Sequence, residues 1–96
     1  MKLRYLKRAR RQLREAIDWL QQHDMLEPFE AEFRRKTTLL KVTPYIGVPV
    51  PKTRLPGVRV IYLSTKHIIY YRVDERAGVV EVLRIWHTSR GHRPKL

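Results

Sequence analysis

Arg59, Arg72 and Arg84 each sit inside a run of Val, Ile and Tyr, and His87 follows Arg84 closely. A cation in the middle of an apolar strand is costly to bury unless it reaches solvent, an acid or a phosphate. Guanidinium forks match phosphate and carboxylate geometry, so three of them on neighbouring strands suit a nucleic acid or a carboxylate-rich partner. The alternative is architectural: Arg72 or Arg84 pairs with Glu81, Asp74 or a helix acid and ties the sheet to the helices. A histidine beside phosphate-binding arginines is a candidate general acid or base for RNA cleavage, with an arginine stabilising the transition-state charge. A lone histidine at a strand end is more often a surface or hydrogen-bonding residue.

Other chemistries find little support. His23, His67, His87 and His92 lack metal-ligand spacing, and there is no cysteine for a disulfide, a thiolate site or a thiol nucleophile. A Gly-rich phosphate loop, a Ser-His-Asp grouping and a paired-acid site are all missing. No metal and no cofactor is expected, and an ordinary metabolic enzyme is disfavoured.

The elements that must position these residues follow from periodicity. Leu6, Ala9, Leu13, Ala16, Ile17 and Leu20 recur at three and four, which predicts a helix over about 6–22 with one buried stripe and Trp19 in the core. Asp24 and Glu27 resemble a capping box that starts a second helix with stripe Leu26, Phe29, Phe33, Thr37 and Leu40, ended by Pro44 at about Val42. So short a link makes the two an antiparallel hairpin. Residues 43–57, with four of the chain's six prolines and glycines 47 and 57, read as a stiff irregular connection. Then the period changes to two: Val58–Leu63, Ile68–Asp74 and Val79–His87 predict a three-stranded meander. Alternation puts Val80, Val82, Arg84 and Trp86 on one face of the last strand, where Trp86 fits either a core or a contact role.

Charge supplies the strongest global constraint. Twenty-one Lys and Arg against nine Asp and Glu give +12, which favours nucleic acid, an acidic protein, or both. The surplus is blocky: residues 1–14 carry seven basic residues and no acid, whereas 15–33 carry six acids and no Lys or Arg. The basic block falls on the first turns of the first helix, where the helix dipole disfavours it, a placement that hints at a partner. Ninety-six residues make one domain, 1–96, burying ~65% of the unfolded chain's surface. No stretch approaches a membrane span, so a soluble, intracellular protein is expected.

The order of these pieces resembles one family. Ala9-Arg10-Arg11-Gln12-Leu13-Arg14-Glu15-Ala16-Ile17-Asp18-Trp19-Leu20, Pro44 to Pro49, Pro56-Gly57-Val58-Arg59, Ile68 to Asp74 and Val82 to Arg90 together look like a toxin of the RelE/ParE superfamily, closest to its ParE branch. The resemblance implies an α+β fold in which Lys2 to Tyr5 add a short N-terminal strand before the helical hairpin and the three-stranded antiparallel meander, β-α-α-β-β-β. It implies a toxin of a type II toxin-antitoxin system in a bacterial cytoplasm, neutralised by a cognate antitoxin with an acidic or partly disordered segment. That segment is expected in an apolar groove between hairpin and sheet, at Leu13, Ile17, Leu20 and Phe33.

The superfamily divides by target. The ParE-like branch poisons DNA gyrase without catalysis, which would make Arg59, Arg72, Arg84, Trp86, His87, Arg90 and Arg93 target-binding residues. The RelE-like branch cleaves messenger RNA on the ribosome, which would give Arg59, Arg72, Arg84 and His87 catalytic roles. The tail after His87 contains no Tyr, and Leu83 to Arg90 with the long hairpin sides with ParE. The basic first helix departs from the usual ParE pattern and would suit DNA held by gyrase, or ribosomal RNA.

Overall fold

In the computed structural model, which describes residues 1–96, the amphipathic stripe of the first segment forms α1 (Lys7–Gln22). Ala9 and Leu20 are fully buried, and Leu13, Ala16 and Ile17 pack against the same cluster. Leu6 occupies the N-cap position without a side-chain cap, and no acid lies in the first turn. The stability of α1 therefore comes from its buried face rather than from its ends. The expected capping box does not form. Asp24 takes a left-handed φ of +54°, a conformation Asp tolerates, and Met25 is the residue that precedes α2 (Leu26–Val42). The predicted stripe of α2 holds: Phe29, Thr37 and Leu40 are buried, with the Thr37 hydroxyl donating back to the Phe33 carbonyl at 2.8 Å.

The strands are β1 (Lys2–Tyr5), β2 (Val48–Pro49), β3 (Arg59–Tyr62), β4 (His67–Asp74) and β5 (Val79–His87), with one turn of 3-10 helix at Thr88–Arg90. They form a single mixed sheet ordered β1-β5-β4-β3-β2. β1 runs parallel to β5, and the β3-β4-β5 meander is antiparallel. This is the expected β-α-α-β-β-β arrangement with one addition. The proline-rich connection is not wholly irregular, because Val48 and Pro49 pair with Val60 and Arg59 as an edge strand, the position in a sheet that proline permits.

One irregularity sets the geometry of the functional end. Tyr70 pairs with Arg84 while Tyr71 pairs with Val82, so Leu83 is an extra residue in β5, a β-bulge. The predicted strict alternation is overturned there. Val80 and Val82 lie among the clusters on the hairpin side, but after the bulge it is Ile85 that joins them, while Leu83 and Trp86 belong to the opposite face.

Both faces carry a core. The hairpin face buries Phe29, Ile69, Val82 and Ile85 against α1 and α2. The other face buries Val58, Val60, Tyr70, Leu83 and Trp86, covered by Val50, Leu55 and Leu96. The C-terminal tail is strapped down there: Trp86 Nε1 donates to the His92 carbonyl at 2.9 Å, and Arg54 and Leu55 N–H groups donate to the Leu96 oxygen at 2.8 and 3.1 Å. Each fully buried large apolar side chain contributes ~1.5–3 kcal/mol.

Candidate functional site

The bulge turns the end of β5 so that Arg84 meets the basic first turns of α1 and the strapped tail. Arg8 and Arg11 from α1, Arg84 from β5, and Arg90, Arg93 and Lys95 from the tail line one cleft of about 390 Å³. The chain's side-chain ion pairs are Arg4 with Asp74 and Glu81, Arg72 with Glu81, and a loose exposed contact of 3.9 Å between Arg11 and Glu15. Arg8, Arg84, Arg90 and Arg93 thus have no carboxylate partner. Arg84 is half-buried and donates only to the Leu83 carbonyl, at 2.7 Å. Burial, and then the neighbouring Arg8 charge, pull its pKa below the ordinary value. The Arg90 guanidinium lies over the Trp86 ring, 4.5 Å from its centroid. Converging cations of this kind repel one another, a cost that an incoming anion offsets.

A second, smaller pocket of about 270 Å³ adjoins this cleft and shares Gln12 and Arg90 with it. Its walls include Trp19, His67 and His87. Trp19 stacks on His23 with centroids 3.9 Å apart and 17° between planes. His67 and His87 meet edge to face at 4.8 Å. His87 Nδ1 is 2.6 Å from the Ser89 hydroxyl. Burial, followed by the nearby His87, lowers the His67 pKa. No group of three or more His, Cys, Asp or Glu side chains is placed to hold a metal.

The three sheet arginines do not converge. Arg72 pairs with Glu81 at 2.9 Å, the architectural alternative, and Glu81 also accepts from Arg4 at 2.8 Å. Burial alone would raise the Glu81 pKa, but the hydrogen bonds and charges of Arg4 and Arg72 outweigh it and hold the carboxyl low. Arg59 donates to the carbonyls of Tyr45 and Gly47 at 3.1 and 2.8 Å, fastening the β2 loop. Of the expected target-binding set, Arg84, Trp86, Arg90 and Arg93 share a cleft. His87 lies on the hairpin side of β5, opposite Arg84.

One tryptophan stands differently from the sequence expectation: Trp19 is 45% exposed rather than in the core. Trp86, which fitted either a core or a contact role, is buried at 8% and holds the tail. Sequence reasoning also missed His67, only 4% exposed, and Gln12, a buried polar residue on the helix stripe. Interruption of an apolar stripe by Gln12 was the available signal for the latter. Of the residues expected to meet an antitoxin, Leu20 is fully buried. Leu13, Ile17 and Phe33 are half-buried against the same cluster, so the hairpin packs directly on the sheet where a groove was expected. Exposed apolar side chains Leu39, Ile46, Val48 and Tyr62 instead surround a cleft between the end of α2 and the β2 edge.

The fold has a solved counterpart. A chain from the "Chromosomal ParDE TA system from P. aeruginosa" superposes with a TM-score of 0.68 at 22% sequence identity, covering 91% of this chain and 95% of that one. No curated protein sequence matches this one. The profile of the family described as "ParE toxin of type II toxin-antitoxin system, parDE" matches residues 3–91. With nearly its whole length under that profile and its elements in the same arrangement, the chain belongs to the ParE toxin family of type II toxin-antitoxin systems.

Proposed function

We propose that this ParE-family toxin acts as a non-catalytic inhibitor of DNA gyrase and is neutralised by a cognate antitoxin. The observation that carries the reading is the cleft of unpaired arginines Arg8, Arg84, Arg90 and Arg93 at the β5 end, a surface built for contact with an anionic target. A ribonuclease reading has weaker support, since Arg59 and Arg72 are committed to internal partners and His87 faces away from Arg84. Stabilising charge and proton transfer at one phosphate require those groups to meet.

The antitoxin reading shifts from the hairpin to the exposed apolar cleft at Leu39, Ile46, Val48 and Tyr62. An extended segment can add to the open β2 edge there while its acids meet the chain's positive surplus.

The test is a gyrase supercoiling reaction titrated with the purified chain, scoring lost supercoiling and accumulated linear plasmid. Inhibition with cleaved DNA, reversed by the antitoxin, is expected. No effect from folded protein at saturation, together with cleavage of messenger RNA on ribosomes, would replace this reading with the ribonuclease one.

A further inference from the structure

The arginine cleft and the aromatic pocket form one continuous surface, because Gln12 and Arg90 line both. We propose that this surface binds single-stranded nucleic acid, with phosphates against Arg8, Arg11, Arg84 and Arg93 and one unpaired base against Trp19 and His87. The inference goes beyond gyrase inhibition, since it concerns the chain alone and holds or fails without the enzyme.

The phosphate half rests on charge. Arg8, Arg84 and Arg93 have no acid partner, Arg11 has only its 3.9 Å surface contact, and phosphodiesters spaced along a strand are the anions such a row neutralises. The base half rests on shape and exposure. Trp19 is 45% exposed yet held in place by its stack on His23, whose Nδ1 is 2.7 Å from the Trp19 carbonyl oxygen. A pre-positioned, half-open aromatic face is what a stacked base uses, whatever its identity.

At about 270 Å³ the pocket falls just below the usual range of small-molecule sites, ~300 Å³ and up, which suits a heterocycle rather than a whole nucleotide. The Gln12 oxygen is committed to Ile85 N–H, so its amide N–H groups remain as donors, with Glu15 at the rim as an acceptor. Base edges present both kinds of partner. A duplex keeps its bases stacked inside and enters such a pocket only by flipping one out. An acidic protein would satisfy the arginines but gives no reason for an aromatic pocket that shares their lining.

The experiment is fluorescence anisotropy of the full chain with a short labelled single-stranded DNA, the RNA of the same sequence, and the corresponding duplex, over a salt series. Single strands are expected to bind more tightly than the duplex, and the tighter of DNA and RNA identifies the natural sugar. The Arg8→Ala, Arg11→Ala double variant should lower the slope of log affinity against log salt by about 0.7 per arginine. Arg34→Ala with Arg35→Ala, which removes equal charge from exposed positions on α2, should change it much less. Trp19→Ala, at an exposed position that leaves no core cavity, should weaken single-strand binding about tenfold or more and leave duplex binding alone. The proposal is overturned if the duplex binds as well as the single strand, if Trp19→Ala has no effect, or if the two arginine pairs behave alike. Capture of polyglutamate with no oligonucleotide binding at low salt would overturn it in favour of an acidic protein.

Discussion

The Gln12 side-chain oxygen accepts the backbone N–H of Ile85 at 2.9 Å, joining α1 to β5 across most of the chain. β1 pairs with β5 only as far as Val82, so beyond that point the outer edge of β5 has no neighbouring strand. Gln12 supplies the missing acceptor just past the bulge and fixes α1 where the two candidate pockets meet. Gln12→Ala should cost about 1–3 kcal/mol by leaving the Ile85 N–H buried without a partner. Gln12→Glu keeps an acceptor and should retain most of the stability. Urea unfolding of both variants checks this, and equal losses would show that packing, not the hydrogen bond, is what Gln12 provides.

Tyr71 and Gly47 hold the proline-rich connection to the sheet. The Tyr71 hydroxyl accepts from Gly47 N–H and donates to the Pro44 carbonyl, both at 2.8 Å. A Cβ at position 47 would lie 2.5 Å from that hydroxyl and 2.8 Å from the Val60 carbonyl oxygen. Tyr71→Phe should destabilise by about 1–3 kcal/mol through the unpaired Gly47 N–H, and Gly47→Ala by a similar amount through overpacking. Because both act on one contact, the double variant should lose less than the sum. Additive losses in a double-mutant cycle would mean the two residues act independently.

The elements of this fold were legible in the sequence because each has its own period. The stripes of α1 and α2 and the three long Val, Ile and Tyr runs are such cases, whereas β1 was reached only through family resemblance. What could not be read turns on single-residue events. The bulge at Leu83 leaves composition and length of the run unchanged, yet it inverts which side chains of β5 face the hairpin. The Arg72–Glu81 pair was one of two open readings, and only the β4-β5 register decides between them. Trp19 lies beside the buried stripe in sequence but outside it on the helix, and its stack on His23 is a local contact that hydropathy does not register. The arginine cleft joins residues from both ends of the chain, so the basic first helix and the basic tail looked like separate features.

Two ionisable groups give stability a defined pH dependence. The Glu81 pKa is held below its ordinary 4.5. Its contribution is therefore fully present above that value and is lost as pH falls through the lower folded-state value. The His67 pKa is lowered from 6.5. As pH drops below 6.5 the unfolded chain takes up this proton first, so stability declines from there until the folded-state value is reached. His67→Gln should flatten the decline below 6.5, and Glu81→Gln should flatten the one below 4.5 while costing about 2 kcal/mol at neutral pH. Urea midpoints across a pH series measure both slopes. An unchanged slope in His67→Gln would mean that His67 protonates equally easily folded and unfolded.

Arg84, Arg90 and Arg93 are the residues whose loss separates target binding from folding. Deleting the tail would remove the Leu96 oxygen that two N–H groups use and the His92 carbonyl that holds Trp86, so a truncated toxin would fail for structural reasons. Alanine at these three positions removes charge and leaves that strap in place. Fewer mutually repelling cations in the cleft should leave thermal stability equal or slightly raised. Arginine contacts in a desolvated interface commonly dominate binding energy, so the triple variant should inhibit gyrase at least about tenfold less well. Antitoxin affinity should persist, since the apolar cleft at Leu39 and Tyr62 shares none of these residues. A triple variant that inhibits gyrase as well as the parent would take the arginine cleft out of target recognition, and one that loses the antitoxin as well would place both partners on the same surface.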